Sequence, residues 1–309
     1  MACVRRRARA GRTGPETACA RFGALASCVI AMAAVGGAQD LGRSTAAGWH
    51  DYVAAAEARI ARERGQAIPH RPGVDRGGIH IEQVGMPGPR GEMEVPDAGV
   101  HHWRGTVLVP GARLDEMVSR LEREPPDTRQ EDVVSSAILQ HRPGWLKVAI
   151  RVRRSLIMSA VFDTEHEVTF ERYGGARSAS WSTATKIVEI ADAGTPKERP
   201  KPQDEDRDLL WRWNAYWRYE QVDQGVLVEC ESITLSRTVP LLLRPVAGPI
   251  VKHVARESME RTLESMRQRI LSARRKMSAP ITSDLQRYPG GKRSAAPGEV
   301  CRETWDTPG

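Results

Sequence analysis

Residues 209–237 read LLWRWNAYWRYEQVDQGVLVECESITLSR, and the fold turns on how this stretch doubles back on itself. Two runs rich in aromatic and β-branched residues flank Asp223-Gln224-Gly225, the pattern of two strands joined by a short turn. If the turn is tight, Val222 stands opposite Gly225, Arg218 opposite Glu229, and Tyr216 opposite Glu231. The same register sets Trp211, Trp213 and Trp217 against Ser236, Thr234 and Cys230. Opposite charges then pair on one face while indoles meet small side chains on the other, as cross-strand energetics favours. A slip of one residue destroys both matches. The stretch therefore predicts a hairpin with one charged and one aromatic face.

Working outward, HHWRGTVLVPG (101–111) is a β run, and ARLDEMVSRLEREPP (112–126) is a short amphipathic helix ended by its prolines. Residues 145–154 and 156–172 form two long strand candidates. The second alternates Phe162, Thr164, His166, Val168 and Phe170 on one face with Asp163, Glu165, Glu167, Thr169 and Glu171 on the other. Another strand covers Ser178–Ile190. The segment ADAGTPKERPKPQDEDRD (191–208) is too charged and too rich in proline to be expected to pack. Downstream, Pro249–Met277 reads as a long helix, buried along Val254, Met259, Met266, Ile270 and Ala273. Upstream, residues 44–65 read as a helix with Trp49, Tyr52, Val53, Ala56 and Ile60 at three- and four-residue steps. Residues 65–98 turn rich in glycine and proline and predict a strap over the next unit, with an edge strand near Ile79–Val84.

Bulk numbers narrow the function classes. A length of 309 residues with 40% hydrophobic residues supports a sizeable core. The net charge of +7 suggests a polyanion partner, but six arginines before residue 39 face one acid there, a net of +5, leaving +2 for the rest. A nearly balanced body lacks the basic face that phosphate binding needs, and Glu229 and Glu231 beside the aromatics oppose a base-stacking platform. No nucleic-acid partner is expected. Residues 1–38 read as a signal peptide: a basic opening, an apolar run from Phe22 to Val35, and small residues Gly36 and Ala38 before Gln39. That predicts a periplasmic or secreted protein, with a cytoplasmic one as the alternative. Residues 278–309 have no periodicity and are expected to be disordered. Cys230 and Cys301 have no metal-ligand spacing, and no phosphate loop, nucleophile elbow or zinc motif appears. No cofactor is expected.

The order of strand, short helix, meander of long antiparallel strands and long terminal helix resembles the START-like (SRPBCC) superfamily over roughly residues 100–276. The strings HHWRG, DTEHEV, LWRWNAYWR and ECESITLSR resemble a poorly characterised bacterial branch of it. The resemblance implies an α+β helix-grip fold, a curved antiparallel sheet wrapped around the C-terminal helix, spanning 99–277. Residues 39–98 are an addition to the minimal fold, either a cover for the cavity mouth or decoration. The resemblance also implies a cavity between sheet and helix for a hydrophobic small molecule, a lipid or polyketide, with at most transient membrane contact. Some members of the superfamily are cyclases.

The expected cavity wall comprises Trp211, Trp213, Trp217, His166, Phe162, Trp181, Trp103, Thr234 and Met259. For the tryptophans, simple packing of sheet against helix is the competing reading. His166, between two phenylalanines, either orients a ligand or is a satisfied core histidine. His101 and His102 point to opposite faces and make a poor metal pair. Asp163, Glu165 and Glu167 predict a charge ladder with Lys147, Arg151 and Arg153. The leading function is non-catalytic binding or carriage. A cyclase using His166, and an envelope interaction module without a ligand, are the alternatives.

Overall fold

The computed structural model describes residues 41–89, 91–125, 130, 132–155, 159–202, 209–238 and 244–278. Residues 1–38, read above as a signal peptide, and the tail beyond Ser278 lie outside these residues. Helix α1 (Arg43–Glu63) buries Tyr52, Ala56 and Ile60, a four-residue repeat that fixes its docking face. The strap follows, with one 3-10 turn at Val74–Arg76, then β1 (Ile79–Gln83), β2 (Pro87–Gly88) and β3 (Gly91–Glu92). Next come β4 (Ala98–Pro110), α2 (Leu114–Leu121), β5 (Val133–Arg142), β6 (Trp145–Ser155), β7 (Ser159–Tyr173) and β8 (Arg177–Ala191). β9 (Arg199–Pro200), β10 (Arg212–Val222), β11 (Gly225–Arg237) and the long α3 (Arg244–Ser278) complete the order.

Among the described residues the strands form one antiparallel sheet in the order β1-β4-β11-β10-β8-β7-β6-β5, with β9 beside β8 and β2-β3 as a separate ribbon. The decisive hairpin has the expected register: Val222 faces Gly225, Arg218 faces Glu229, Trp217 faces Cys230, Tyr216 faces Glu231 and Trp213 faces Thr234. Its turn needs glycine at 225, where a Cβ would stand 2.1 Å from the Val109 carbonyl oxygen.

Alternation gives the sheet two differently covered faces. On the inner face, Val107, Val109, Val226, Val228 and Cys230 cluster with Met259, Leu263 and Ile270 of α3 and with Leu114, Met117 and Val118 of α2. On the outer face, Tyr216, Ile233 and Leu235 cluster with Tyr52, Ala56 and Ile60 of α1. The long C-terminal helix thus packs on one side of an antiparallel sheet, the helix-grip arrangement, and α1 packs on the other. Of the two expectations for the N-terminal addition, a cover for the cavity mouth does not hold for its helix, which backs the sheet from the side opposite α3. The strap supplies β1, which pairs with β4.

Three further differences have local causes. α3 starts at Arg244, and Pro249 sits inside it; one missing N–H forfeits a bond without ending the helix. β5 was not expected, because register shifts after Val133 and Ile138 break its alternation. The Pro143-Gly144 turn, with Gly144 at φ 71°, was the legible signal. Part of the polar segment 191–208 does pack, as β9, and Lys201 pairs at 2.6 Å with the buried Glu189. The charge ladder is present in Arg151–Asp163 at 2.6 Å and Lys147–Glu165 at 2.9 Å; solvent screening keeps such pairs weak.

Candidate functional site

The inner face of the middle strands carries the site. β10 presents Trp213, Ala215, Trp217 and Tyr219, and β7 presents His166, Val168 and Phe170. Between them β8 presents Ser178, Ser180, Ser182 and Ala184. Trp217 stands opposite Ser180, which stands opposite Phe170; Ala215, Ser182 and Val168 form the next row. A strand of small side chains between two strands of large ones makes a trough. α3 lies chiefly over β4 and β1, and its Met259, Leu263 and Ile270 belong to the cluster against which Trp217 and Phe170 pack. Trp213, Trp217, Ser182, Ala184, Val168 and Phe170 are only half-buried. Trp217 stacks parallel to Tyr219 with ring centroids 6.4 Å apart, and the Tyr219 hydroxyl lies 3.1 Å from Ser180 Oγ.

The predicted wall residues divide. Trp213, Trp217, His166, Phe162, Trp103, Thr234 and Met259 share the inner face. Trp103 and Met259 belong to the cluster under α3, and Phe162 packs with Val152, Ala160 and Leu210 at the far end, where Trp213 joins it. Trp181 and Trp211 do not share that face. Trp181 alternates with Ser180 and Ser182, so it points to α1, where Arg64 lies 5.3 Å from its ring centroid. Trp211 precedes the first residue of β10, so the strand's alternation does not reach it, and it packs with the outer cluster. His101 and His102 point to opposite faces: His101 Nε2 meets Ser236 Oγ at 3.0 Å, and His102 meets Tyr52 and Glu231.

His166 is buried, its ring edge-on to Trp213 with centroids 4.8 Å apart. The Thr164 hydroxyl donates to the Ile150 carbonyl at 2.8 Å, so it accepts from His166 Nε2–H at 3.0 Å. Burial lowers the imidazole pKa to about 4. It is therefore neutral near pH 7, and with Nε2–H given to Thr164 its Nδ1 can accept a hydrogen bond. The unfolded chain takes up this proton near pH 6.5 while the folded chain resists until about 4. Stability attributable to His166 is thus complete above pH 6.5 and declines as pH falls toward 4. Burial shifts His101 the same way. An NMR titration of His166 should show the ring still neutral at pH 5; protonation near 6.5 would count against the buried geometry.

Arg154 was missed by the sequence reading. It shares the inner face of β6 with Leu146, Val148, Ile150 and Val152, and a lone charge in that apolar row was the available signal. Its guanidinium lies 5.2 Å from the Trp213 ring centroid. Nη1 donates to Ser258 Oγ of α3 at 2.7 Å and stands 3.5 Å from Asp132 Oδ2. Its Nε and Nη2 make no hydrogen bond among the described residues. Among those residues no group of three His, Cys, Asp or Glu side chains is placed to hold a metal ion. No helix there is long and apolar enough to cross a membrane.

No protein-family model matches the chain, and no curated protein matches it. Several solved structures are similar to it at low identity. One is the STAR-related lipid transfer protein of Xanthomonas axonopodis, at 16% identity over 58% of this chain and 96% of that one, TM-score 0.39. A second is human StAR-related lipid transfer protein 5, at 14% identity over 74% of this chain and 99% of that one, TM-score 0.40. A third is the Zhui aromatase/cyclase of a Streptomyces species, at 15% identity over 59% of this chain and 98% of that one, TM-score 0.36. These likenesses concern the fold alone.

Proposed function

We propose that this protein binds a hydrophobic small molecule in the inner-face trough and carries it without transforming it. The observation behind this reading is the facing of half-buried Trp213 and Trp217 onto the small side chains of β8, beside the strands that α3 chiefly covers. Aromatic and aliphatic walls supply affinity through the apolar area they remove from water. The neutral His166 and the open edge of Arg154 would orient one polar group of the ligand.

Native mass spectrometry of the full chain after mild purification should show a retained hydrophobic molecule. A fluorescent fatty-acid probe should bind and be displaced by the extracted material. Trp217→Ala removes on the order of 100 Å² of contact, about 2.5 kcal/mol, and should weaken probe binding roughly 50-fold. A chain that retains nothing and leaves the probe unbound removes the carrier reading.

A further inference from the structure

Four buried side-chain atoms without a hydrogen-bond partner among the described residues collect in one region: Arg71 Nε, His80 Nε2, Thr106 Oγ1 and Glu229 Oε2. His80 is the partner of Thr106 across β1 and β4, and Thr106 is the partner of Glu229 across β4 and β11. The three form one row across the outer face. Arg71 belongs to the strap and reaches Glu82 at 2.7 Å, two residues from His80 on the same face of β1. Arg71 Nε, Thr106 Oγ1 and Glu229 Oε2 surrendered water on burial and gained no hydrogen bond among the described residues, and His80 Nε2 has only Glu82 Oε2 at 3.8 Å, which disfavours the closed arrangement.

Little opposes that cost. Between Gly65 and Gly78 the strap buries only Ile68 and Val74. Its other ties are the Ile68 amide to Glu220 Oε2 at 2.6 Å, the Gly65 carbonyl to Arg177 and the Gly77 carbonyl to Arg267. Gly73 and Gly77 bracket the 3-10 turn at φ 84° and 85°, conformations that favour glycine and give the segment two hinge points.

We propose that the strap is a cover poised to open. It lifts from the outer face as a unit, independently of global unfolding, and delivers the His80–Thr106–Glu229 row to solvent. Elements with few buried apolar contacts open first, and here the polar atoms beneath add a drive.

Hydrogen exchange on the full chain tests this. Peptides spanning 66–78 should exchange at least tenfold faster than those of β4 and β11. Thr106→Val removes the partnerless hydroxyl at nearly constant shape and should slow strap exchange roughly tenfold. Strap protection that is unchanged or reduced in Thr106→Val overturns the proposal, as does strap exchange that follows the core strands. Ile68→Ala gives a second reading that does not depend on that variant. Faster exchange confined to the strap supports the cover, and an equal rise in β4 overturns it.

Discussion

Glu231→Ala is expected to cost about 3–5 kcal/mol, the usual result of removing one partner from a buried ion pair. The Glu231 side chain is 4% exposed. It accepts from His102 Nε2 at 2.5 Å, from Arg104 Nε at 3.0 Å and from Arg59 of α1. The far nitrogen of His102 meets the Tyr52 hydroxyl of α1 at 2.9 Å. Without the carboxylate, the His102 imidazole loses its acceptor, and Arg59 and Arg104 are left with Glu63 and, for Arg104, Glu82 at 3.9 Å. The same group governs behaviour in acid. Burial alone raises its pKa, but the His102 hydrogen bond and the charges of Arg104, His102 and Arg59 outweigh burial and hold it at about 2. Because the folded value lies below the ordinary one near 4.3, this contribution is complete above pH 4.3 and is lost as pH falls toward 2. It is worth about 3 kcal/mol. Urea unfolding at pH 7 and across pH 2–5 checks both statements. A variant with the wild-type midpoint at pH 7 would show that the network does not hold α1.

Leu263→Ala should cost about 2–5 kcal/mol through lost burial and the cavity left behind. Leu263 is fully buried, and it stands over Gly105 so closely that a Cβ there would lie 2.5 Å from Leu263 Cδ1. Gly105→Ala alone should therefore also destabilise, by about 1–3 kcal/mol of overpacking. The two defects are opposite in volume, so the double variant should be more stable than the sum of the single losses predicts, by at least 0.5 kcal/mol. Strict additivity would mean that α3 does not approach β4 as described.

The hairpin was legible because charge pairing and size matching agreed on a tight-turn register that a slip of one residue destroys. The α3 stripe was legible in part from its helical spacing: Met259 and Ile270 are buried as expected, but the fully buried Leu263 was not among the expected residues. The docking of α1 was not: Tyr52, Ala56 and Ile60 announce a buried face, but nothing in their spacing says which side of a sheet receives it. Trp181 was misassigned although alternation with Ser180 and Ser182 already separates it from the serine face, since grouping it with other tryptophans overrode period two. Trp211 was misassigned because the strand begins one residue later, a boundary that periodicity does not fix. The half-filled trough depends on where α3 comes to rest, which is a property of long-range packing and not of any one segment.

One consequence concerns how β10 tolerates change in length. Its odd-numbered residues furnish the trough and its even-numbered ones the seat of α1, so a single inserted residue within Arg212–Val222 would exchange the occupants of both compartments in one stroke. β5, whose register already shifts twice, can absorb such an insertion locally. The party wall between the two compartments is consequently where this chain has the least freedom to drift.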